Sequence, residues 1–495
     1  MKLIYKQLML LFSLVILSSC GNSWLDLDPT DGVPSETAID SYKAASVALT
    51  GVYDGLQGNS NSVSYYGAQI LYYGDVRADD MQARTQGMRT SSVYEMKYNE
   101  DNAPQVWLVP YDVIRRANRL LEAIESGKIV DATEAQLKNL KSEALTIRAL
   151  VHFDLCRIYG KPYSEDKGAS LGIPLVLEPI PQDALPSRNT VDEVYNQVIT
   201  DLTDALSEGG LVDKKNYGYV NKWFAEGLLA KVYLYKEDNT NALKYAEDII
   251  EKSPYQLWTS EEYVSGWKTT DSGRKEMLFE LVNNSTDDWT DRNGIAYLMN
   301  EDGYADLIAT KSFLDMMAET PEDVRNGIII PAQSDSILME KYGEEKIFVN
   351  KYPAESNGEM RLNSLPLMRL SEIYLFAAEA AAKLGDGAKA AKYLNAIYKR
   401  ANPKATDLSA SEATVERIML ERRKELIGEG HRFFDAMRNN ETITRYTGEA
   451  DKGFHYSLLK ESMKFDRSYF RTILPIPIDE VNVNNNLKEQ QNPGY

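Results

Sequence analysis

Apolar residues recur at helical spacing in two similar stretches of the chain. In residues 365–400 the first apolar stripe consists of Leu370, Ile373, Tyr374, Ala377, Ala381 and Leu384. After the turn signal Gly385-Asp386-Gly387, a second stripe consists of Ala390, Ala391, Leu394, Ile397, Tyr398 and Ala401. The small residues of the first stripe leave room for the second helix, so this stretch predicts a helical hairpin.

Residues 223–250 repeat the design, with a small-residue first helix, a polar turn at residues 237–241 and an amphipathic second helix. A unit of about 34 residues with this patterning is typical of a tetratricopeptide repeat. Such a unit cannot bury its apolar face alone, so we expect the hairpins to stack on each other or on a partner layer. The alternative is a pair of unrelated amphipathic hairpins.

The rest of the chain mixes helical patterns with irregular segments. Helices are predicted over residues 39–56, 107–124, 135–159, 191–206 and 412–438. Residues 58–87 interleave four tyrosines with glycine, which is not the pattern of a core helix, and residues 253–308 also break the helical period. Long irregular segments of this kind are commonly functional. Short alternating runs at 276–282 and 346–352 predict strands.

The composition is that of a folded globular protein, with 43% hydrophobic and 26% charged residues among 495. This length allows two to four domains or one large domain. The net charge of −19 argues against nucleic acid and anionic lipid as general partners. Tyrosine is frequent, at 31 residues against 12 phenylalanines. Its flat ring and hydroxyl suit surfaces that are both apolar and hydrated, and packing explains the loop tyrosines less well than those of the hairpins.

The N-terminus reads as an export signal. Lys2 and Lys6 precede an apolar run at residues 8–17, which is too short to span a bilayer. The run ends in Leu17-Ser18-Ser19-Cys20, which looks like a bacterial lipobox and predicts that Cys20 is acylated and anchors the protein to a membrane. A plain signal peptide with a chance cysteine is the alternative. The other cysteine, Cys156, lies in a helical pattern, so no disulfide framework is expected.

The sequence offers no motif for a catalytic, metal or cofactor site. It contains no HExxH, GxSxG, P-loop or GxGxxG motif, and its three histidines are widely separated. The charges Arg422, Arg423, Glu425, Glu429, His431 and Arg432 are interpreted as ion pairs that tie helices together. We therefore predict no catalytic residues, no metal and no cofactor. A glycoside hydrolase, which needs only two placed carboxylates, remains an alternative.

Several motifs in order along the chain resemble those of one family. They are the lipobox with Trp24-Leu25-Asp26, the segments 111–118, 143–160 and 222–235, the segments 369–375, 421–432 and 474–477, and the ending Gln491-Asn492-Pro493-Gly494-Tyr495. Their order and spacing cover nearly the whole chain. The sequence resembles the SusD/RagB lipoproteins, which are surface nutrient-binding proteins of certain Gram-negative bacteria.

The resemblance implies a mainly α fold, in which four tetratricopeptide-like helix pairs form an α/α scaffold with a loop-rich subdomain and a few short β-strands. It implies a non-enzymatic, surface-exposed lipoprotein of the outer membrane with no nucleic-acid partner. The protein would bind oligosaccharides and pass them to a SusC-like TonB-dependent outer-membrane transporter. A peptide-binding member of the same family is an alternative, as is a pure repeat scaffold that binds a peptide in its groove.

Oligosaccharide binding directs attention to the irregular segments. Aromatic rings stack on the C–H faces of sugars, while charged and amide groups bind the hydroxyls. The candidate ligand contacts are Tyr65, Tyr66, Tyr72, Arg77, Asp79, Asp80, Trp107, Trp289 and Tyr297. For Trp107, at a helix start, packing is the alternative.

The expected domain organisation follows from the same motifs. Residues 1–19 are the signal peptide and residues 20–34 a lipidated tether. Residues 35–250 form an N-terminal half with helical repeats. Residues 251–495 form a C-terminal half, which contains the loop-rich insert 251–364 and the repeat hairpin. We expect the two halves to form one compact unit.

Overall fold

The computed structural model describes residues 38–58, 65–84, 89–104, 106–269, 274–283, 294–331, 347–353, 359–445 and 458–495. Helices dominate these ranges and the strands are short, which confirms the predicted mainly α class. Within the same ranges no helix combines the length and the apolar character needed to cross a lipid bilayer.

The helices of the described residues are numbered in the order in which they occur along the chain. They are α1 (Tyr42–Gln57), α2 (Ile70–Val76), α3 (Ser91–Glu95), α4 (Leu108–Glu125), α5 (Glu134–Tyr159), α6 (Tyr163–Asp166), α7 (Val191–Glu208), α8 (Lys222–Tyr235), α9 (Asn239–Lys252), α10 (Glu262–Trp267), α11 (Ile295–Met299), α12 (Lys311–Ala318), α13 (Leu370–Lys383), α14 (Gly387–Ala401), α15 (Val415–Leu426), α16 (Arg432–Arg438), α17 (Lys460–Met463), α18 (Ile478–Val483) and α19 (Asn485–Glu489).

Among the described residues, four helix pairs form a scaffold in series: α1 with α4, α5 with α7, α8 with α9, and α13 with α14. Neighbouring pairs touch through α4 and α5, through α7 and α8, and through α9 and α13. Helix α15 then packs against α13. Because each pair buries its apolar face on the next, the two predicted hairpins stack as expected.

Both hairpins have the same turn chemistry. The carboxylate of Asp238 accepts a hydrogen bond from the backbone N–H of Asn241 at the start of α9. Asp386 accepts one from Lys389 at the start of α14. Each aspartate satisfies a backbone donor that a helix N-terminus leaves open. Gly385, with φ of +81°, supplies the left-handed residue between α13 and α14.

The hairpins approach each other closely where small residues lie. Ala377, Ala378 and Ala381 of α13 are fully buried. In α8, a Cβ added to Gly227 would lie 2.5 Å from Met368 Sδ and 3.1 Å from Ile373 Cδ1, so a larger residue there would require these side chains to shift. Replacing Gly227 with valine is expected to force the two elements apart.

The strands form antiparallel pairs on the loop-rich side. They are β1 (Met81–Ala83) with β3 (Leu307–Ala309), β2 (Met277–Leu281) with β6 (Leu365–Arg369), β4 (Ile329–Pro331) with β5 (Ile347–Val349), and β7 (Ile443–Thr444) with β8 (Lys464–Phe465). The predicted strands at 276–282 and 346–352 are confirmed as β2 and β5. The predicted hairpin at 365–400 is wrong at its start, because its first five residues pair with β2 and α13 begins only at Leu370.

The prediction for residues 58–87 is wrong for most of the segment, because Tyr65–Gln69 forms a π-helical turn that continues into α2. This segment is buried core. A Cβ on Gly74 would lie 2.0 Å from the carbonyl oxygen of Gly430, so glycine here lets α2 pack against a distant part of the chain. The glycine that suggested a loop is therefore a helix-packing residue.

The charges around α15 form a buried network, which confirms their interpretation as structural ion pairs. Arg369 Nη1 lies 2.6 Å from Glu425 Oε1, and Arg369 Nε lies 2.8 Å from Glu429 Oε2. Lys351 Nζ adds a second cation 2.5 Å from Glu429 Oε1. Burial alone would raise the pKa of Glu425, but Arg400 and Arg369 outweigh it and hold that pKa below its ordinary value. The network joins α15 to the strands of the loop-rich side.

Candidate functional site

Most of the candidate ligand contacts lie inside the protein. The hydroxyls of Tyr65 and Tyr66 both donate hydrogen bonds to Asp154 Oδ2, at 2.6 and 2.5 Å. Asp154 is fully buried and also pairs with Arg157. Burial raises the pKa of both tyrosines, and the negative charge of Asp154 raises it further. We call Tyr65, Tyr66, Asp154 and Arg157 the buried tyrosine cluster.

Tyr72 and Arg77 lie on the same helical segment and are also enclosed. Tyr72 is 4% exposed, and burial raises the pKa of its hydroxyl. The Arg77 guanidinium lies between the rings of Tyr73 and Phe433, 3.5 Å from each centroid. It also donates a hydrogen bond to the backbone oxygen of Thr472 at 3.1 Å. Arg77 thus joins α2 to α16 and the C-terminal segment.

Asp79 and Asp80 pair with arginines of α15 and α16. Arg432 Nε donates to Asp79 Oδ1 at 2.7 Å, and Arg423 Nε donates to Asp80 Oδ2 at 3.0 Å. Burial would raise the pKa of Asp79, but Arg432 and Arg423 outweigh it and hold that pKa below its ordinary value. Both carboxylates therefore serve the interior of the fold.

Trp107 is 4% exposed and packs against Tyr111 and Tyr159, with ring centroids 4.9 and 4.8 Å away. Its packing role is the one the structure shows. Trp289 and the predicted lipidation residue Cys20 lie outside the described residues. Seven of the candidate ligand contacts are buried, so their contact with a ligand stays a prediction: Tyr65, Tyr66, Tyr72, Arg77, Asp79, Asp80 and Trp107.

Among the candidates that the structure describes, Tyr297 is the one that reaches the surface. It lies half-buried in α11, and its ring centroid is 6.0 Å from that of Tyr304, with 43° between the ring planes. The exposed Arg89 places its guanidinium 3.4 Å from the centroid of the Tyr304 ring. The hydroxyl of Tyr297 donates a hydrogen bond to Glu359 Oε1 at 3.2 Å. We call Tyr297, Tyr304, Arg89 and Glu359 the Tyr297 surface.

A tight turn fixes the two rings of this surface relative to each other. The backbone N–H of Tyr304 donates to the carbonyl of Tyr297 at 2.7 Å. A Cβ on Gly303 would lie 2.4 Å from the same carbonyl oxygen, so the turn requires glycine there. Ala305 follows with a left-handed φ of 52°, a strained conformation for a residue other than glycine. The turn therefore sets the backbone positions from which the two rings project.

Strand pairing brings Arg89 to these rings. Antiparallel β1 and β3 place Arg84 beside Asp306, where the Arg84 backbone N–H donates to the Asp306 carbonyl at 2.9 Å. The Asp306 carboxylate accepts from the backbone N–H of Arg89 at 3.1 Å. Arg84 Nε lies 3.6 Å from the other oxygen of Asp306. Burial raises the pKa of Asp306, although these arginines work against the rise. Asp306 thus supports the surface from beneath.

The Tyr297 surface combines two aromatic faces with a guanidinium and a carboxylate at its edge. This set can stack on a flat apolar ligand face and bind hydroxyls at its margin. Sequence reasoning identified Tyr297 but missed Tyr304, Arg89 and Glu359. The short spacing of the two tyrosines in the segment YLMNEDGY could have indicated Tyr304. Arg89 and Glu359 are distant from this segment in the sequence, so no local pattern indicates them. Among the described residues no cluster of three or more histidine, cysteine, aspartate or glutamate side chains has the geometry of a metal site.

Two family models match the sequence. The model of the SusD family matches residues 213–495. A second model, described as starch-binding associating with outer membrane, matches residues 23–234.

Similar proteins of known structure share the fold over most of the chain. A proposed sugar-binding protein of Bacteroides vulgatus is 38% identical, with a TM-score of 0.84, and the match covers 93% of this chain and 100% of that chain. A SusD superfamily protein of Bacteroides thetaiotaomicron is 37% identical, also with a TM-score of 0.84, and the match covers 92% of this chain and 100% of that one. A SusD-like protein of Bacteroides ovatus is 24% identical over 292 residues, which are 56% of this chain and 50% of that relative.

Proposed function

This chain belongs to the SusD family, and on that premise we propose that it binds an oligosaccharide on the Tyr297 surface and passes it to an outer-membrane transporter. The observation that carries the proposal is the pair of tyrosine rings held 6.0 Å apart by a tight turn at the surface, with Arg89 and Glu359 beside them. A rigid pair loses little conformational freedom when a ligand stacks on it.

The chemistry of the surface fits a sugar better than a flat aromatic ligand. A pyranose presents axial C–H groups to a ring face and equatorial hydroxyls at its edge. The Tyr297 and Tyr304 rings would take the C–H faces, while Arg89 and Glu359 supply a donor group and an acceptor group for hydroxyls. The rings are inclined by 43°, so consecutive sugar units of a twisted chain would meet them in turn.

The comparisons support a carbohydrate ligand through the relatives' descriptions. The family model over residues 23–234 is described by starch binding, and the 38% identical relative is described by proposed sugar binding. A peptide is the other class of ligand that we weigh, and it becomes an outcome of the test below.

We further propose that Cys20 is acylated and holds the protein on the outer face of the outer membrane, beside a SusC-like TonB-dependent transporter. The leader that ends at Cys20 supports the anchor, and the outer-membrane description of the N-terminal family model supports the location. The C20S variant should be released from the membrane fraction, and the wild-type protein should co-purify with a large outer-membrane barrel. Retention of C20S in the membrane would contradict the anchor.

Binding without turnover completes the proposal. The carboxylates of Glu425 and Glu429 are buried and paired with arginine and lysine, so their charge serves the fold. Soluble protein lacking residues 1–20 should retain glycans on an array and in affinity electrophoresis, and should release no new reducing ends from them.

The control and the contradictory outcomes are specific. The Y297A variant should lose glycan retention, whereas Y72F, which alters a buried tyrosine of α2, should keep it. Retention of peptides alone would show that the ligand is a peptide and not an oligosaccharide. New reducing ends produced by the wild-type protein but not by Y297A would show that the protein is a glycoside hydrolase.

A further inference from the structure

A second concave surface lies between the C-terminal end of α1, residues 215–219 and β2. It consists of two adjoining cavities of about 310 and 360 Å³ that share Tyr217 and Gly218. The first is bounded by β2 with Tyr255 and Arg274, and the second by the C-terminal end of α1 with Tyr219. Both volumes fall within the roughly 300–1,000 Å³ of small-molecule sites. We call the joined cavities the Tyr219 cleft.

The Tyr219 ring is an exposed platform with a fixed base. It is 45% exposed and meets the Tyr53 ring edge-on, with centroids 5.1 Å apart and 78° between planes. The Tyr53 hydroxyl donates to Glu143 Oε2 at 2.5 Å and accepts from the backbone N–H of Val220 at 3.0 Å. Burial and the charge of Glu143 raise the pKa of Tyr53. The buried tyrosine therefore holds the loop that carries the exposed one.

The polar groups of the cleft favour an uncharged ligand. The charge of Asp54 is paired with Arg116 at 3.2 Å. Arg274 is paired with Glu280 at 2.5 Å. These charges compensate each other in the cleft wall, and Lys215 places its Nζ 5.8 Å from the centroid of the Tyr255 ring. Thr50, Gln57 and Asn216 add hydroxyl and amide groups to the lining. An aromatic platform edged by such groups suits a neutral sugar ring.

One short segment connects this cleft to the Tyr297 surface. At its start, Glu359 accepts from the Tyr297 hydroxyl. Near its end, the Asn363 carbonyl accepts from Asn283 Nδ2 at 2.9 Å, and Ser364 Oγ lies 3.5 Å from the Tyr217 hydroxyl. Five residue steps separate Glu359 from Ser364, so their Cα atoms lie at most about 18 Å apart even if fully extended. The two surfaces are thus close enough for one oligosaccharide.

We propose that the Tyr219 cleft is a distal subsite that takes the far end of a neutral oligosaccharide bound on the Tyr297 surface. The inference rests on the proposed function and adds a selection for chain length. A short oligosaccharide occupies the Tyr297 surface alone. A longer one also places a ring on Tyr219, and the second contact is intramolecular, so it adds affinity at little further entropic cost.

The test is titration calorimetry of the soluble protein lacking residues 1–20 with size-graded ladders of malto-oligosaccharides and laminari-oligosaccharides. Affinity for the wild-type protein should rise with length and then level off. In Y219A the affinity for the shortest binding members should stay unchanged, while that for the long members falls about three- to tenfold. Y219F, which keeps the ring, should retain the length dependence. T50R, which fills the cleft from an exposed position, should reproduce the effect of Y219A.

Each other outcome is informative. Unchanged affinity of both Y219A and T50R for the long members would overturn the distal subsite and leave the proposed function standing. An equal loss for short and long members would place the primary contact in the Tyr219 cleft, and this would contradict both proposals. Failure of the wild-type protein to bind any member of either ladder of neutral oligosaccharides would overturn both the distal subsite and the oligosaccharide site on the Tyr297 surface.

Discussion

The buried tyrosine cluster and the Tyr297 surface each contain two neighbouring tyrosines and a carboxylate that accepts a hydrogen bond from a tyrosine hydroxyl. The first lies in the core and the second at the surface. In the cluster, Tyr65 and Tyr66 lie 4.6 Å apart and donate to a fully buried carboxylate, Asp154. On the surface, Tyr297 lies 6.0 Å from Tyr304 and donates to the partly exposed Glu359. Two tyrosines and one carboxylate therefore stabilise a core in one place and present rings to solvent in the other.

The difference shows what decides the role of a tyrosine. In the cluster the Asp154 carboxylate is paired with Arg157, and the rings of Phe153 and Phe434 cover the Arg157 guanidinium. The hydroxyls are then satisfied internally and water is excluded. On the Tyr297 surface Arg89 lies over one face of the Tyr304 ring, but both rings stay partly exposed, so uncovered ring area remains available to a ligand. A tyrosine-rich segment is thus a candidate site only where its rings stay uncovered.

The largest expected effect comes from removing the buried carboxylate. D154A leaves Arg157 and two tyrosine hydroxyls without their acceptor, so the free energy of unfolding should fall by about 3–5 kcal/mol. Urea denaturation measures this loss. The matched variant E359A removes the carboxylate of the Tyr297 surface and should change stability by less than about 1 kcal/mol. Similar losses in the two variants would remove the distinction between the regions.

The stability contributed by a second buried carboxylate, Asp435, should depend on pH in the acid range. Burial would raise the pKa of Asp435, but Arg422 and Arg438 outweigh it and lower that pKa from 3.8 to about 2. Its stabilising contribution is therefore present above pH 3.8 and is lost as the pH falls through about 2. The stability difference between the wild-type protein and D435N, roughly 2 kcal/mol or more at neutral pH, should shrink between pH 4 and 2. A difference that stays constant over that range would contradict the assignment.

Removing a single hydroxyl should give the smallest difference in stability. Y66F deletes one hydrogen bond to a buried charge and should cost about 1.5–3 kcal/mol, whereas Y297F should cost less than about 1 kcal/mol. Thermal unfolding followed by circular dichroism compares the two variants directly. Equal shifts in midpoint would indicate that the Tyr297 hydroxyl is as deeply integrated as that of Tyr66.

The sequence sufficed for the parts of the fold that local patterning determines. Helical periodicity and the glycine-rich or polar turn residues located both hairpins, and alternation located β2 and β5. It failed at α2 because Gly74 packs against Gly430, a contact between distant segments that no local pattern records. It also failed at residues 365–369, whose strand partner β2 lies far upstream.

The candidate site was predictable only in part, for the same reason. Tyr297 was found from composition, since tyrosine in an irregular segment is unusual. Arg89 reaches Tyr304 through the pairing of β1 with β3, and Glu359 reaches Tyr297 from a separate segment. The burial of Tyr65, Tyr66 and Arg77 depends on helices α5 and α16, which the local sequence does not indicate.

The most direct test of the account is the glycan affinity of a paired set of variants, measured by calorimetry with the strongest ligand from the array. We predict that Y297A and Y304A each bind about tenfold more weakly, equivalent to ~1.4 kcal/mol, while still unfolding in a cooperative transition. Y65F and Y66F should lower the midpoint and keep wild-type affinity. Wild-type affinity in Y297A and Y304A, or a loss confined to Y65F and Y66F, would contradict the assignment of ligand binding to the uncovered rings.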